Sequence, residues 1–229
     1  MLSPTAARRI NPDPEGAMSS NHPRFLALTP DPKFAAAVKK YKARVREAAG
    51  PQLYVDDPPH VTLYLAVFTD GESLLERLAR ELGDIPTPRA EVVGWHLFAD
   101  DALTGLQTLV CDFRPEDRET LRRVQAAVVA GAGPLRDCAA TAARYAGKLD
   151  RLSPAEAANV HRVGFPFVGP QWYPHVSVAS IRKEDWAAVE RDLWPTKPAC
   201  ACTFPVLHEY DLIDNKPVEV GEIHLAAAA

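Results

Sequence analysis

The sequence contains one four-residue pattern twice, and each copy lies in a short apolar run. Residues 60–63 read His-Val-Thr-Leu, residues 175–178 read His-Val-Ser-Val, and a proline precedes each copy. Short apolar runs of this kind are typical of β-strands, in which successive side chains point to opposite faces. In each copy the imidazole and the hydroxyl therefore share one face, while the two aliphatic side chains point towards a core.

Two imidazoles and two hydroxyls around one groove would suit a phosphate group, provided that the fold brings the two strands together. Phosphodiester cleavage needs a base to activate the nucleophile and an acid to protonate the leaving oxygen, and imidazole can do both near neutral pH. The hydroxyls can donate hydrogen bonds to the non-bridging oxygens, where negative charge grows. A metal site needs three or four ligands, and only the two motif histidines converge, so we expect neither a metal nor another cofactor.

Hydrophobic periodicity predicts alternating strands and helices, in the order β-α-β-α-β-β-α, an insert, and then β-α-β-β. Strands are predicted over residues 24–29, 60–68, 89–99, 106–113, 175–181, 203–213 and 218–225, and helices are predicted to begin near residues 32, 73, 115, 154 and 183. Residues 1–22 are rich in Pro, Ser and Asn, without periodicity, and are predicted to form a flexible tail. We expect residues 23–229 to form a single bilobal domain.

The predicted order divides into two similar halves, and one motif strand falls at the corresponding place in each half. Each half is typical of an α+β unit, in which an antiparallel sheet carries helices on one face. We therefore predict two pseudo-symmetric lobes, with helices on the outer faces and a cleft between the two sheets. The two motif copies would then face each other across that cleft.

The two motifs, Pro-His-Val-Thr-Leu and Pro-His-Val-Ser-Val, resemble the paired His-x-Thr/Ser-x signature of the 2H phosphoesterase superfamily. That superfamily includes 2′-5′ RNA ligase-like proteins and cyclic nucleotide phosphodiesterases, and the resemblance covers residues 24–225. It implies a bilobal fold, metal-free catalysis and hydrolysis of 2′,3′-cyclic phosphates or related phosphodiesters at RNA ends. By position, His60 and His175 would be the acid–base pair, and Thr62 and Ser177 would hold the phosphate. The sequence does not decide which imidazole is the acid.

Four aromatic residues are further candidates for contact with the substrate, although packing into the core is an alternative for each. Tyr64 has the same parity as the motif residues, so we expect it to face the cleft and to stack on a base or contact phosphate. Trp172 and Tyr173 lie just before the second motif, in a loop that is expected to border the cleft. Phe25, on the first predicted strand, is a similar candidate.

Composition and charge limit the partners that we expect. The chain of 229 residues is 47% apolar and 24% charged, which is typical of a globular protein, and its net charge is −4. This balance gives no overall basic field for long nucleic acids, so a nucleotide or an RNA end is the expected substrate. The basic residues of the insert form either a local patch for RNA or a solvated helix face: Arg136, Arg144, Lys148 and Arg151.

We expect a cytoplasmic monomer without a membrane partner. No apolar segment approaches the roughly 18–20 residues needed to span a bilayer. The opening segment also lacks the apolar stretch of a signal peptide.

Other functions are compatible with the same residues. Among enzymes, the alternatives are RNA 2′-5′ ligation, exonucleolytic trimming of RNA ends and cleavage of ADP-ribose cyclic phosphate. A module that captures a nucleotide or RNA end without turnover is a second class, although binding alone does not require two titratable groups. A scaffold whose repeat is only structural would bind no phosphate. Metal-independent hydrolysis of a 2′,3′-cyclic phosphate is the leading hypothesis.

Overall fold

The computed structural model describes residues 8–10, 22–69 and 73–227, and its strands form two antiparallel sheets. The strands are β1 (Arg8–Ile10), β2 (Pro23–Thr29), β3 (Val61–Val67), β4 (Arg89–Phe98), β5 (Gln107–Phe113), β6 (His175–Ile181), β7 (Cys200–Thr203), β8 (Val206–Ile213) and β9 (Lys216–His224). The helices are α1 (Pro32–Ala49), α2 (Leu74–Leu82), α3 (Arg118–Ala132), α4 (Cys138–Ala143), α5 (Pro154–Val163) and α6 (Trp186–Leu193).

The two sheets correspond to each other strand by strand. The first sheet has the order β1-β9-β8-β2-β3, and the second has the order β6-β5-β4-β7. If β1 is set aside, β3 corresponds to β6, β2 to β5, β8 to β4, and β9 to β7. The motif strands β3 and β6 thus lie at equivalent edges, and the predicted α+β fold with two pseudo-symmetric lobes is confirmed.

The lobes are not, however, the two consecutive halves that the sequence predicted. The hairpin β4–β5 follows the first motif in the chain but pairs with the second motif strand, β6, whereas the C-terminal hairpin β8–β9 pairs with β2. The single strand predicted over residues 203–213 is two strands, β7 in the second sheet and β8 in the first. The break falls at Phe204 and Pro205, and proline lacks the N–H needed to continue a ladder. Local alternation identifies a strand but not its partner, which long-range packing decides.

Helices cover each sheet on the side away from the other lobe. Helix α3 packs with α2 and lies on β3, while α1 packs with α6 and lies on β6 and β7. One continuous cluster of buried apolar side chains runs through both lobes. Burial of each large aliphatic or aromatic side chain stabilises the fold by about 1.5–3 kcal/mol. Among the described residues, no helix has the length and apolar character that a bilayer-spanning segment requires.

Strand β1 lies within the segment that was predicted to be a flexible tail. Arg8–Ile10 pairs antiparallel with β9, at the outer edge of the first sheet. The rest of that predicted tail, up to residue 21, lies outside the described residues.

Gly164 ends helix α5 in a left-handed conformation and leads into the loop before the second motif. Its φ is 80°, and a Cβ at this position would lie 2.7 Å from Cγ2 of Thr141. We expect Gly164→Ala to lower the free energy of unfolding by at least about 1–2 kcal/mol, because the left-handed region alone costs an L-residue that much. Denaturant unfolding followed by circular dichroism measures this change.

Gly133→Ala is the matched control for this substitution. Gly133 has helical backbone angles, and a Cβ there meets nothing within 4 Å, so its stability should not fall. Equal losses in the two variants would contradict the conformational explanation.

Candidate active site

A cavity of about 840 Å³ lies between the two sheets and is lined by residues of both motifs. His60 and Thr62 of the first lobe and His175 and Ser177 of the second all contribute to its wall. Sites for small ligands commonly enclose about 300–1,000 Å³. The fold therefore brings the four motif side chains to one cavity of suitable size.

Both motif strands break their alternation at the same point. In β3, Thr62 and Tyr64 lie opposite consecutive residues of β2, so Leu63 is an extra residue. In β6, Val178 is the extra residue directly after Ser177. A β-bulge of this kind reverses the face to which the following side chains point. Because of the two bulges, the alternation that directs motif side chains into the cavity covers only the histidine and the hydroxyl residue of each motif.

This bulge makes the prediction for Tyr64 wrong. The Tyr64 side chain is 0% exposed, and its hydroxyl donates a hydrogen bond to the backbone oxygen of Val163. Its ring packs edge-on against Phe68 and Phe165 in the core. Leu65 lines the cavity instead, because the bulge shifts the alternation of side chains by one residue relative to a count from His60.

The two motif imidazoles are held by equivalent hydrogen bonds. Nδ1 of His60 lies 2.7 Å from the backbone oxygen of Pro58, and Nδ1 of His175 lies 2.7 Å from that of Tyr173. A carbonyl oxygen can only accept, so Nδ1 must carry the proton, and in the neutral ring Nε2 is the free acceptor. No described residue forms a hydrogen bond with either Nε2 atom or with the hydroxyls of Thr62 and Ser177. Two proton-exchanging nitrogens and two hydroxyls are thus available to a ligand.

Phe25 and Trp172 border the cavity, but each is only 4% exposed, which leaves little ring surface for the predicted stacking on a base. Phe25 stacks on Tyr210, with centroids 4.9 Å apart, and its centroid lies 5.1 Å from that of His60. The indole N–H of Trp172 donates to the backbone oxygen of Thr62 at 3.1 Å. These two rings therefore support the motif residues from behind.

Tyr173 also lines the cavity, but its ring and hydroxyl are already engaged. The ring stacks on His96 at 4.7 Å, and the guanidinium of Arg118 lies 4.2 Å from the ring centroid. Its hydroxyl donates to Asp112 at 2.8 Å and accepts from Arg118 at 2.8 Å. Because the Tyr173 backbone oxygen accepts from His175, these contacts fix the second imidazole rather than a nucleotide base.

Phe98, a residue that the sequence reasoning missed, lies beside the second motif imidazole as Phe25 lies beside the first, although it belongs to β4 and not to β5, the strand that corresponds to β2. Its ring centroid lies 5.1 Å from that of His175, the same separation as between Phe25 and His60. Phe98 is partly exposed and lines the cavity, so it offers an aromatic surface to a bound base. No sequence motif marks it, since its role follows from the pairing of β4 with β5.

The sequence reasoning also missed a buried lysine in the cavity wall. Lys42 is 5% exposed, and its Nζ donates to the backbone oxygen of Tyr54, a cavity residue with a φ of 67°. Burial lowers the pKa of Lys42 to about 8, against the opposing charge of Asp57. Lys42 lies in the buried stripe of α1 with Phe34 and Val38, and a lysine in an apolar stripe is the signal that would have identified it.

The environment keeps both motif imidazoles neutral at pH 7. Burial lowers the pKa of His60 to about 4, and the charges of Lys42 and His175 act in the same direction. Burial also lowers the pKa of His175, but Asp101 and Asp112 oppose that effect. The negative charge of a phosphate group placed between the rings would raise both pKa values.

The described residues include one group with the spacing of a metal site, and it lies outside the cavity. It consists of His208, Glu219 and Glu222. Nε2 of His208 lies 3.2 Å from a carboxylate oxygen of Glu222, so these two residues already contact each other directly. Within the described part of the chain, neither His60 nor His175 belongs to such a group.

Two pseudo-symmetric antiparallel sheets, each presenting a His-x-Thr/Ser motif to a shared cleft, define a 2H phosphoesterase. The chain belongs to the 2′-5′ RNA ligase superfamily, whose family model matches residues 30–211. The resemblance deduced from the motifs is thereby confirmed, and the chain is a protein of the phosphoesterase or ligase type.

Comparison with one solved structure, TT0787, agrees with this fold. TT0787 of Thermus thermophilus is 18% identical, with a TM-score of 0.53 over 90% of this chain and 100% of that chain. E. coli LigT, crystallised with NADP+, is 12% identical, with a TM-score of 0.49 over 91% and 99% of the two chains. Usb1 of Kluyveromyces marxianus is 14% identical, with a TM-score of 0.44 over 88% and 98%. No curated protein matches the sequence.

Proposed function

We propose that the protein is a metal-independent phosphodiesterase that hydrolyses 2′,3′-cyclic phosphates of nucleotides or RNA ends through His60 and His175. The observation that carries this proposal is the matched pair of imidazoles, each with Nδ1 bound to a backbone carbonyl and Nε2 free, beside two free hydroxyls in one cavity. A binding module needs hydrogen-bond donors for phosphate, but it does not need two groups poised to exchange protons.

The reaction uses the two rings in opposite protonation states. Nε2 of one neutral imidazole takes a proton from water, and the water oxygen bonds to phosphorus. The bond from phosphorus to one ribose oxygen breaks, and the other imidazole, which begins protonated, gives its proton to that oxygen. Thr62 and Ser177 donate hydrogen bonds to the non-bridging oxygens as their negative charge grows. The products are a phosphate monoester and a free ribose hydroxyl.

The charges around the two rings favour His60 as the base and His175 as the acid. Asp101 and Asp112 stabilise a protonated His175, whereas Lys42 disfavours a proton on His60. A base must be neutral and an acid must be protonated before the reaction starts, so this distribution matches the required states.

The dependence of kcat/KM on pH is expected to be bell-shaped, with its maximum on the acidic side of pH 6.5. Activity rises as pH rises through the pKa of the base, and the pKa of His60 is about 4. It falls as pH rises through the pKa of the acid, which burial lowers in His175. The profile of kcat should extend to higher pH, since bound phosphate raises the pKa of the acid.

The pH dependence of kcat/KM in Lys42→Met tests the assignment of His60 as the base. Removal of this positive charge should raise the pKa of His60 and shift the acidic limb to higher pH. Lys39→Met, on the exposed face of the same helix, should leave the limb in place. A kcat/KM maximum above pH 7.5, or equal shifts in both variants, would argue against this electrostatic account.

The proposed reaction is tested with a panel of substrates in the presence of EDTA. Nucleoside 2′,3′-cyclic phosphates should be converted to monoesters, and linear 2′-5′ and 3′-5′ dinucleotides serve as comparisons. Inactivity on the whole panel would rule out the hydrolase. Release of nucleotides from linear ends would favour an exonuclease, and tight nucleotide binding that survives loss of both histidines would favour a binding module.

A further inference from the structure

The insert between α3 and β6 places two cationic side chains in the wall of the catalytic cavity. Arg144 follows helix α4, Lys148 lies four residues later, and both are partly exposed and line the cavity. Neither forms a salt bridge with a carboxylate of the described residues. Cations that face a cavity without a paired carboxylate are the groups that proteins use to bind anions.

The acidic residues of the same wall have other partners. The Asp101 carboxylate accepts hydrogen bonds from the backbone N–H groups of Leu103 and Thr104, both at 2.9 Å, and so holds the turn between β4 and β5. The Glu156 carboxylate accepts from the backbone N–H of Ser153 at 2.7 Å, within the cap of α5. Because these carboxylates already accept hydrogen bonds from backbone N–H groups, they neutralise the positive charges of Arg144 and Lys148 only in part.

The other two acidic residues of the wall lie beside different cations. Asp57 acts on the charge of Lys42, and Asp100 forms an ion pair with Lys183. The positive charge at the insert is therefore not cancelled by the rest of the cavity wall.

The two cations share their stretch of the cavity wall with two tyrosines and repel each other. Tyr54 and the buried Tyr145 line the cavity beside them, and the charge of Arg144 acts on both phenols. Burial lowers the pKa of Lys148, and the charges of Arg144 and Arg151 lower it further. Mutual repulsion of this kind is relieved when an anion binds between the cations.

The cationic pair lies within electrostatic range of the catalytic residues. Arg144, Lys148 and His175 line the same cavity, and the charge of Asp101, in the same wall, acts on both Lys148 and His175. A ligand held at His175 can therefore extend along the same wall to Lys148 and Arg144.

We propose that Arg144 and Lys148 form a subsite for a second phosphate of the substrate. This rests on the proposed function, since the first phosphate is the cyclic one held between His60 and His175. The second is either the 5′-phosphate of the same nucleotide or the diester that joins it to the preceding nucleotide. The planar guanidinium of Arg144 suits two phosphate oxygens, and the Lys148 ammonium adds a point charge. The substrate class is thus a cyclic phosphate with a neighbouring phosphate, rather than a nucleoside cyclic phosphate alone.

Calorimetric titration of the full chain with product-like nucleotides tests the subsite without requiring turnover. The probes are adenosine 2′-monophosphate, adenosine 2′,5′-bisphosphate and the dinucleotide ApA with a terminal 2′-phosphate. At least one of the two probes with an additional phosphate should bind wild type about 10–100-fold more tightly than the monophosphate, as expected for charge-assisted hydrogen bonds. The double variant Arg144→Gln, Lys148→Gln should lose that gain and retain its Kd for the monophosphate, which also shows that the variant is folded.

The matched control is Lys39→Gln, Lys40→Gln, which removes the same charge from the exposed face of α1 and should retain the gain. A gain with the bisphosphate alone identifies the 5′-phosphate as the natural group, and a gain with the dinucleotide alone identifies the preceding diester. No gain in wild type, or a gain that survives the Arg144 and Lys148 substitutions, overturns the subsite. Failure to hydrolyse any cyclic phosphate while the gain persists refutes the proposed reaction but not the subsite.

Discussion

Replacement of either His60 or His175 by alanine is expected to lower kcat for 2′,3′-cyclic phosphate hydrolysis by about 10²–10⁴-fold, the usual contribution of one proton-transferring group. His60 and His175 are the only histidines among the described residues of the cavity wall, one from each lobe. Each substitution therefore removes one of the two free Nε2 atoms. The loss should appear in kcat more than in KM, because proton transfer takes place in the transition state. Steady-state kinetics with saturating cyclic nucleotide measures it.

His161→Ala is the matched control, since His161 is exposed on helix α5 and does not line the cavity. Its kcat should equal that of wild type. Thermal unfolding of all three variants separates loss of chemistry from loss of fold. If His60→Ala or His175→Ala were folded and kept more than half of the wild-type kcat, the acid–base pair would have to be abandoned.

Removal of either motif hydroxyl is expected to have the next largest effect. Thr62→Val and Ser177→Ala should each lower kcat by about 10²–10³-fold, as seen when one donor to a developing oxyanion is lost. Valine keeps the shape and strand preference of threonine, so the change in Thr62→Val isolates the hydroxyl. Neither hydroxyl is engaged by another described residue, so its loss leaves no protein partner unsatisfied.

The control for these hydroxyl variants is Thr196→Val, at an exposed position outside the cavity. It should retain wild-type kinetics. The pH profile gives a second readout, because Thr62→Val and Ser177→Ala remove a hydrogen-bond donor and should lower the rate without changing which groups titrate. Loss of a limb of the profile in either variant would contradict the assigned role.

Much of the site followed from local sequence because its chemistry depends on strand parity over only three residues. His60 with Thr62, and His175 with Ser177, needed nothing beyond the alternation of one short strand each. The prediction of two lobes followed from the repeated order of elements. Both inferences use information that is local in the chain.

The errors arise where structure depends on distant residues. The placement of Tyr64 was wrong because a bulge after Thr62 reverses the alternation of side chains, and no residue type in β3 indicates that a bulge is present. The exchange of hairpins between the lobes was missed because the alternation within a strand does not specify its neighbour. Trp172 and Phe25 lie at the predicted border, but their burial behind the motif residues could be seen only once the two sheets were packed.

Lys42 and the cationic pair of the insert show the same limit for charged residues. Lys42 could have been noticed in the apolar stripe of α1, but its proximity to His60 depends on α1 packing against the opposite lobe. Arg144 and Lys148 were recognised as basic, yet whether they faced solvent or the cavity was open until the insert had been folded against the sheets.

Isotope transfer from water shows directly whether His60 and His175 together hydrolyse one phosphate group. Adenosine 2′,3′-cyclic phosphate is incubated with the protein in ¹⁸O-enriched water containing EDTA and followed by ³¹P NMR. With wild type, the cyclic signal should be replaced by that of a monoester carrying one ¹⁸O atom, and the His60→Ala, His175→Ala double variant should leave the cyclic signal unchanged. An unchanged cyclic signal with wild type, or equal turnover in the double variant, would contradict it.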